Sequence, residues 1–413
     1  MLKLHIENIL VREEKIMAEW ISKKLGEITL FITKGIPPKY VEEENQNTVR
    51  VLNQKCSRNF EISYDESRIH NAEIKKVPED KLLRCGDVLI NSTGTGTAGR
   101  VAQLFNVSVP TTIDGHMILL RPTEEINSIY YGYAIKSQQK KIESLAEGST
   151  GQTEINRQRL KDEIIITFPK EKMLQKAIGT LLLQIDEKIK NNKQINNNLE
   201  EQALAVFANE FLSLDTIPEG WKQASLIDIA DYLNGLAMQK YRPTADEIGI
   251  PVLKIKELRQ GCCDDNSELC SPSIKSDYII HDGDVIFSWS GSLLVDIWCG
   301  GICGLNQHLF KVTSSKYDKW FYYAWTKHHL DRFVTVAADK ATTMGHIKRD
   351  ELAKAEVLIP NETDYNRIGA LLQPIYEMII SNRIENKKLA ATRDTLLPKL
   401  MNGEIDMSEV DYE

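Results

Sequence analysis

One long unit is written twice in this 413-residue chain, and nothing else in the sequence constrains the fold as strongly. Trp20, Leu25 and Ile28 recur 201 positions later as Trp221, Leu226 and Ile229, and Lys39-Tyr40 recurs as Lys240-Tyr241. Val51-Leu52 with Lys55 returns as Val252-Leu253 with Lys256 at the same offset. The offset then shrinks. It is 197 for Gly86-Asp87-Val88 against Gly283-Asp284-Val285, and for Gly94 against Gly291. It is 192 for His116 against His308 and Ile155 against Ile347. It is 190 for Ile185, Ile189, Asn192 and Leu199 against Ile375, Ile379, Asn382 and Leu389. Matches that stay in order while the offset falls in steps are the mark of a tandem duplication with a few loop deletions. A period of about 200 residues is too long for a solenoid, so the copies are expected to be separate domains related by a pseudo-twofold axis.

Each copy holds a globular part, about 18–165 and 219–357, followed by a helical part. In the first helical part Ile178, Leu182, Ile185, Ile189, Asn192, Asn196, Leu199, Ala203 and Val206 alternate in steps of four and three, a heptad seam. The second repeats it with Ile368, Leu372, Ile375, Ile379, Asn382, Asn386, Leu389, Arg393, Leu396 and Leu400. Pro169 precedes the first helix, Asn361 is placed to cap the second and Gly403 to end it. Pro374 removes a backbone donor, which predicts a local bend. Either helix alone exposes an apolar stripe, so the two are expected to form an antiparallel coiled coil. The register residues are Asn192, Asn196, Asn382 and Asn386, whose amides demand polar partners. Helices of roughly 35 residues reach about 50 Å, more than one turn of B-DNA at about 34–36 Å, and can act as a ruler.

The globular halves read as short strands and turns, then one helix, then a final strand, giving a mixed α/β (α+β) class. Val49–Asn53, Asp87–Asn91 and Ile164–Phe168 are predicted strands, mirrored by Val252–Ile255, Asp284–Ser288 and Val357–Ile359. Ile129–Leu145 and Trp320–Val334 are predicted helices. The domain plan is an N-terminal helical segment 1–17, a first domain 18–168, a long helix 169–212, a second domain 213–360, a long helix 361–403 and an acidic tail 404–413.

Net charge is -8, but the tail carries five acids and no base, and without it the balance is near -3, so a basic face remains available. The N-terminal residues are interrupted by Lys3, Glu7 and Arg12, unlike a signal peptide, and no stretch is long and apolar enough for a bilayer. The chain is therefore read as cytoplasmic, without a membrane partner. Seven scattered cysteines fit a reducing compartment, and the set around Cys299 and Cys303 matches no common zinc spacing, so no metal is assigned.

Gly94-Thr-Gly96-Thr-Ala-Gly99 fits GxGxxG. Arg100 stands where a Walker lysine is required, no sustained helix follows, and the duplicate loop lacks the pattern, so the run reads as a glycine-rich turn. The aligned loops carry Ser92, Thr93 and Thr95 in one half and Trp289, Ser290 and Ser292 in the other. Small hydroxyls suit phosphates and base edges. Lys34, Lys39, Tyr40, Lys55 and Arg58, with Lys240, Tyr241, Arg242, Lys254 and Lys256, add cations and aromatics. These sixteen positions are the candidate DNA contacts. His116 and His308 read as structural, and no catalytic residue is assigned.

Several segments together resemble the specificity subunit of type I restriction-modification systems. They are Thr33-Lys-Gly-Ile-Pro-Pro38, Leu82-Leu-Arg-Cys-Gly-Asp-Val-Leu89, Ile217-Pro-Glu-Gly-Trp221, Met238-Gln-Lys-Tyr-Arg-Pro243, Pro251-Val-Leu-Lys-Ile-Lys-Glu-Leu258, Gly283-Asp-Val-Ile-Phe-Ser-Trp-Ser-Gly-Ser292 and Leu396-Leu-Pro-Lys-Leu-Met-Asn-Gly-Glu404. The resemblance implies a non-catalytic chain with two target-recognition domains, each reading half of a split double-stranded DNA site across a spacer fixed by the helices. It also implies two modification subunits that use S-adenosylmethionine to methylate adenine, and restriction subunits that use ATP and Mg²⁺, with no cofactor on this chain. Pro374 and the cysteines of the second half depart from the pattern. The alternatives are a stand-alone DNA-binding regulator and a single-chain DNA methyltransferase. The latter needs an Asp/Asn-Pro-Pro-aromatic motif, whereas the one Pro-Pro here lies in Ile36-Pro-Pro-Lys39.

Overall fold

The computed structural model describes residues 19–148, 153–339, 347, 349–405 and 407. The N-terminal segment 1–17 and most of the acidic tail lie outside the described residues. The chain divides into two compact units, Met1–Glu187 with Ala390–Glu413, and Lys188–Leu389.

In the first unit, β1 (Trp20–Lys24) pairs antiparallel with β14 (Ile165–Pro169). The central sheet runs β2 (Thr29–Lys34), β11 (Met117–Pro122), β8 (Val88–Asn91), β9 (Val101–Gln103), antiparallel throughout. Val88-Leu-Ile-Asn is wholly buried because both faces of its strand are covered. Alternation then splits the side chains: Val88, Ile90, Ile118 and Leu120 join the core under α1 (Ser128–Ser137), while Leu89, Leu119 and Met117 meet Leu52 and Ile113 of a second sheet. That sheet runs β10 (Thr111–Ile113), β4 (Thr48–Leu52), β7 (Arg68–Asn71), β3 (Tyr40–Val41), with β10 and β4 parallel. Two-residue ladders join β5 (Ser57–Arg58) to β6 (Glu61–Ile62) and β12 (Ala146–Glu147) to β13 (Glu154–Ile155).

The second unit repeats this plan. β15 (Lys222–Ser225) pairs with β24 (Glu356–Ile359). β16 (Asp231–Asn234), β23 (Leu309–Thr313), β20 (Val285–Ser288) and β21 (Leu294–Ile297) form the central sheet. β18 (Leu269–Cys270), β17 (Ile250–Leu253), β22 (Cys303–Leu305) and β19 (Ile279–Ile280) form the other, with β17 and β22 parallel, and two short helices, α5 (Leu226–Ile229) and α6 (Ile255–Gln260), follow β15 and β17. Even the register is inherited. Met117 faces Asn91 as Leu309 faces Ser288, and Ile113 faces Leu52 as Leu305 faces Leu253. Those correspondences carry the offsets 192, 197 and 201 read from the sequence.

The repeated Gly-Asp-Val has a local cause. Gly86 and Gly283 both have φ +91°, in the region that favours glycine, and their N–H groups donate to Leu104 O and Trp298 O at 2.7 Å. The following aspartates accept from Arg84 N at 2.8 Å and His281 N at 2.9 Å, closing the turn into the strand. Asp87 also takes a bidentate pair from Arg121 at 2.8 and 3.0 Å, while Asp284 takes Lys311 at 2.9 Å. Burial pushes the Asp87 carboxyl up, and Arg121 opposes it.

In place of the single helix expected at Ile129–Leu145 and at Trp320–Val334, each half has two in succession. α1 is followed by α2 (Gln139–Ser144), and α7 (Lys319–His328) by α8 (Leu330–Asp339). Gln138 (φ -92°, ψ 6°) and His329 (φ -80°, ψ -1°) tighten the backbone at each junction.

The long helices are α4 (Lys172–Phe207), prolonged by a π-turn at Ala208–Leu212, and α10 (Glu362–Met401). In the first unit Leu174, Ile178 and Leu182 of α4 and Leu397, Leu400 and Met401 of α10 enter the core, and Arg393 meets Asp186 at 2.5 Å. In the second, Ala203 and Phe207 of α4 join Ile368, Leu372, Tyr376 and Ile379 of α10. There Asn192 Nδ2 donates to Asn386 Oδ1 at 2.9 Å and Asn382 Nδ2 to Asn196 Oδ1 at 2.8 Å, so partners descend in α10 as they ascend in α4. The pairing is antiparallel. Because Asn192 is the repeat equivalent of Asn382, and Asn196 of Asn386, the two amide pairs are exchanges of one another. Their secondary bonds obey the same exchange: Asn196 Nδ2 donates to Ile379 O at 3.2 Å and Asn386 Nδ2 to Ile189 O at 3.3 Å. Asn361 caps α10 by accepting from Asp364 N at 2.9 Å, and Gly403 past its end has φ +78°. α10 runs unbroken through Pro374. Pro374 and Ala370 are both exposed, which leaves the Ala370 carbonyl, deprived of its donor, open to water.

Candidate nucleic-acid interface

The loop leaving β8 is the closing turn of the β8–β9 hairpin, with Gly94, Gly96 and Gly99 at φ +109°, +70° and +88°. A phosphate-binding GxGxxG joins a strand to a helix, so this geometry removes the cofactor reading of the run.

Thr93 Oγ1 in that loop is 2.9 Å from His116 Nδ1, and the second unit repeats the pair as Ser290 Oγ and His308 Nδ1 at 3.0 Å. Each histidine follows an Asx turn: Asp114 Oδ1 accepts from His116 N at 2.9 Å and Asn306 Oδ1 from His308 N at 3.3 Å. A third segment joins by the main chain, since Ile155 N donates to Ser92 O at 2.8 Å and Ile347 N to Trp289 O at 3.0 Å. It brings in Arg157, which opens α3 (Arg157–Glu163), and Arg349, which opens α9 (Arg349–Ala353). Arg157 is exposed, whereas Arg349 donates to Tyr232 O at 3.0 Å. The end of β2 or β16 completes each arrangement: Lys34 is ion-paired with Glu154, and Asn234 Oδ1 accepts from Trp289 Nε1 at 3.0 Å. In the first unit the end of β2 and the segment carrying Arg157 border a groove of about 630 Å³ lined by Lys34, Glu154, Asn156, Arg157, Gln158 and Lys161, among others.

The structure thus gathers Lys34 and Thr93 in one unit and Trp289 and Ser290 in the other, and adds the histidines and arginines that sequence reasoning left out. Arg157 and Arg349 share the offset of 192 already seen at Ile155 and Ile347. Ser92 is corrected: it is fully buried, its strand register turning the hydroxyl inward, and it serves through its main chain. Ser290 is only 3% exposed and acts through His308. Thr95 and Ser292 are exposed at the loop tips.

The remaining candidates stand apart from this constellation. Lys39 is exposed, and Tyr40 lies under the Arg68 guanidinium at 3.4 Å with its hydroxyl pushed up by burial. Lys55, 3.9 Å from Glu66, and Arg58 are exposed near the β5–β6 hairpin. Tyr40 sits in β3, but Tyr241 follows a 3-10 turn at Met238–Lys240, so the repeated Lys-Tyr does not occupy one element in the two units. Lys240, Tyr241 and Arg242 are exposed. Lys254 and Arg242 lie 2.6 and 3.6 Å from Glu268, and Lys256 lies 3.2 Å from Asp264, so much of this positive charge is already matched.

Among the described residues no cluster of three or more His, Cys, Asp or Glu is arranged to hold a metal. Cys263 and Cys303 share a thiol hydrogen bond that pushes Cys303 up and Cys263 down. Among the described residues no helix is long and apolar enough to cross a membrane.

The two halves that share this constellation are also the two regions that match a known family. The model of the type I restriction modification DNA specificity domain matches residues 17–201 and again 218–391. The chain belongs to that family. It is 27% identical over 423 aligned residues to the type I restriction enzyme MjaIX specificity subunit of Methanocaldococcus jannaschii, covering 96% of each chain. It is 20% identical to the HindI specificity subunit of Haemophilus influenzae, covering 94% of this chain and all of that one. In fold it is similar to the crystal structure of a type I restriction-modification S subunit from M. genitalium. That match has a TM-score of 0.59 at 16% identity and covers 94% of this chain and 98% of the other.

Proposed function

We propose that this chain is the DNA sequence-specificity subunit of a type I restriction-modification complex, with recognition and assembly as its work and catalysis left to partners. Each unit reads one half of a split, asymmetric double-stranded site. α4 and α10 fix the length of the unread spacer and dock two methyltransferase subunits, which carry S-adenosylmethionine. Restriction subunits using ATP and Mg²⁺ complete the assembly.

The observation that carries this reading is the repeated hydroxyl–imidazole–arginine arrangement in the same strand register in both units. Directional side chains held in the turns that join paired strands, beside cations, suit a duplex, where phosphate contacts position and base edges specify. Two copies of one frame with different neighbours suit two different half-sites. A single-chain methyltransferase is disfavoured, because the GxGxxG run is a hairpin turn and Pro37-Pro38 is flanked by Ile36 and Lys39.

The test is co-expression with a type I methyltransferase subunit and sequencing of co-propagated plasmid for methylated adenine. Methylation at one bipartite sequence, dependent on this chain, is the expected result. Purified alone, the chain should neither methylate DNA nor bind S-adenosylmethionine, and either activity would defeat the proposal.

A further inference from the structure

Around the repeated frame the two units differ. Ser92 corresponds to Trp289, Gly115 to Gln307 and Lys34 to Asn234, yet the hydroxyl–imidazole pair is retained at 2.9 and 3.0 Å. Packing does not call for it. The turn carrying His116 is already fixed by Asp114 Oδ1 on His116 N, by Ser92 N donating to His116 O at 2.8 Å, and by the pairing of Met117 with Asn91. One more bond at an exposed position contributes about 1 kcal/mol at most. What the bond does is orient the ring. With Nδ1 engaged the ring plane is held, and since a hydroxyl can donate or accept, Nε2 is presented as a directed acceptor or donor accordingly. His116 is exposed, and among the described residues nothing is bonded to its Nε2. Among the described residues, His308 Nε2 meets the amide of its neighbour Gln307, at 3.3 Å.

Resting on the DNA-reading role proposed above, we infer that His116 and His308 are base-reading residues, one per half-site. Thr93 and Ser290 are their positioning residues. A ring held by a hydroxyl is directional, which suits a base edge, while Lys34 and Arg157 on the adjoining segments are the groups suited to phosphate.

The test uses the full chain in complex with its methyltransferase subunits and a duplex carrying the bipartite site mapped from plasmid methylation. Single-half scrambled duplexes serve as controls. His116→Ala and His308→Ala are each expected to weaken binding about tenfold, the scale of one mismatched base pair, with the melting temperature unchanged. Each loss should vanish when one particular half-site is scrambled, a different half for each variant. Gln places an amide near Nε2 and Asn places one near Nδ1, which separates the roles. His116→Gln should retain most of the affinity and His116→Asn should not.

Parent-like binding by both alanine variants would overturn the inference, as would rescue by Asn and not by Gln, which marks a purely structural ring. Equal weakening on the intact and scrambled duplexes would assign the rings to phosphate and overturn base reading. If the parent complex itself prefers no bipartite duplex, the specificity reading falls as well. If the parent binds and only these expectations fail, the specificity reading stands.

Discussion

Replacing Asn382 by Leu should destabilise the second unit, and replacing its partner as well should undo the damage. Asn196 and Asn382 are 6% and 8% exposed, and Asn382 Nδ2 donates to Asn196 Oδ1 at 2.8 Å. With Asn382 gone, a buried carbonyl oxygen keeps its desolvation penalty without its donor, a loss of about 1–3 kcal/mol. For a unit of this size each kcal/mol moves the midpoint by about 2–4 °C, so a loss near 2 kcal/mol lowers it by about 4–8 °C. In Asn196→Leu with Asn382→Leu both polar groups leave together and two side chains of fitting size meet in the seam, so stability should return to within about 1 kcal/mol of the parent. With a loss near 2 kcal/mol in each single variant, the coupling between the sites is therefore about 3–4 kcal/mol. Scanning calorimetry of the four corners of the cycle measures it. Single variants without effect, or a double variant showing the sum of two losses, would refute the assignment of register to this pair. The double variant should keep its register through Asn192 and Asn386, and only the fourfold leucine variant should lose it, seen as methylation at more than one spacer length.

Arg121→Ala should destabilise the first unit by about 3–5 kcal/mol, because Asp87 is left buried and charged; Lys311→Ala should cost less, since Asp284 is 23% exposed against 3% for Asp87, and thermal melts compare the two. Burial lowers the His329 imidazole to about 4, with Nε2 2.8 Å from Glu356 O. The unfolded chain takes up this proton near pH 6.5 while the native ring refuses it until about pH 4, so stability should fall by about 3 kcal/mol as pH drops through that window. His329→Gln should flatten this part of the pH profile of the unfolding midpoint, and an unchanged profile would refute the assignment. Exchanging residues 213–360 for those of a relative should change one half of the methylated site and leave the other, whereas a change in both halves would contradict independent readers.

The duplication was legible because offsets survive divergence: 201, 197 and 192 are the strand registers themselves. The asparagine pairs were legible for a similar reason, since a polar residue in an apolar seam must find a partner and its repeat equivalent names the candidate. Burial at the loop was not. Ser92 is as polar as Thr95, but Ser92 is tied to the core by its N–H donating to His116 O at 2.8 Å just past β8, while Thr95 stands at the tip of the turn in solvent. Arg157 and Arg349 carried a signal in their shared offset, but arginine is common on surfaces and nothing local distinguished them. The breaks at Gln138 and His329 have neither proline nor glycine to announce them.

The false cofactor motif has an origin in the same arithmetic. At β8 and β20 the copies are offset by 197, because Val88 corresponds to Val285. Across the hairpin the pairing Val88–Gln103 corresponds to Val285–Ile297, so β9 and β21 are offset by 194. Three residues of the difference therefore lie inside the turn that holds Gly94, Gly96 and Gly99. In the shorter copy the turn closes through Gly291 alone, at φ +64°. In the longer one three glycines take positive φ, and a Cβ on Gly94 would stand 2.2 Å from Thr97 Oγ1 and one on Gly99 2.5 Å from Glu143 Cγ. The glycines answer to the geometry of an enlarged hairpin turn packed on its own protein, which accounts for their spacing without a nucleotide.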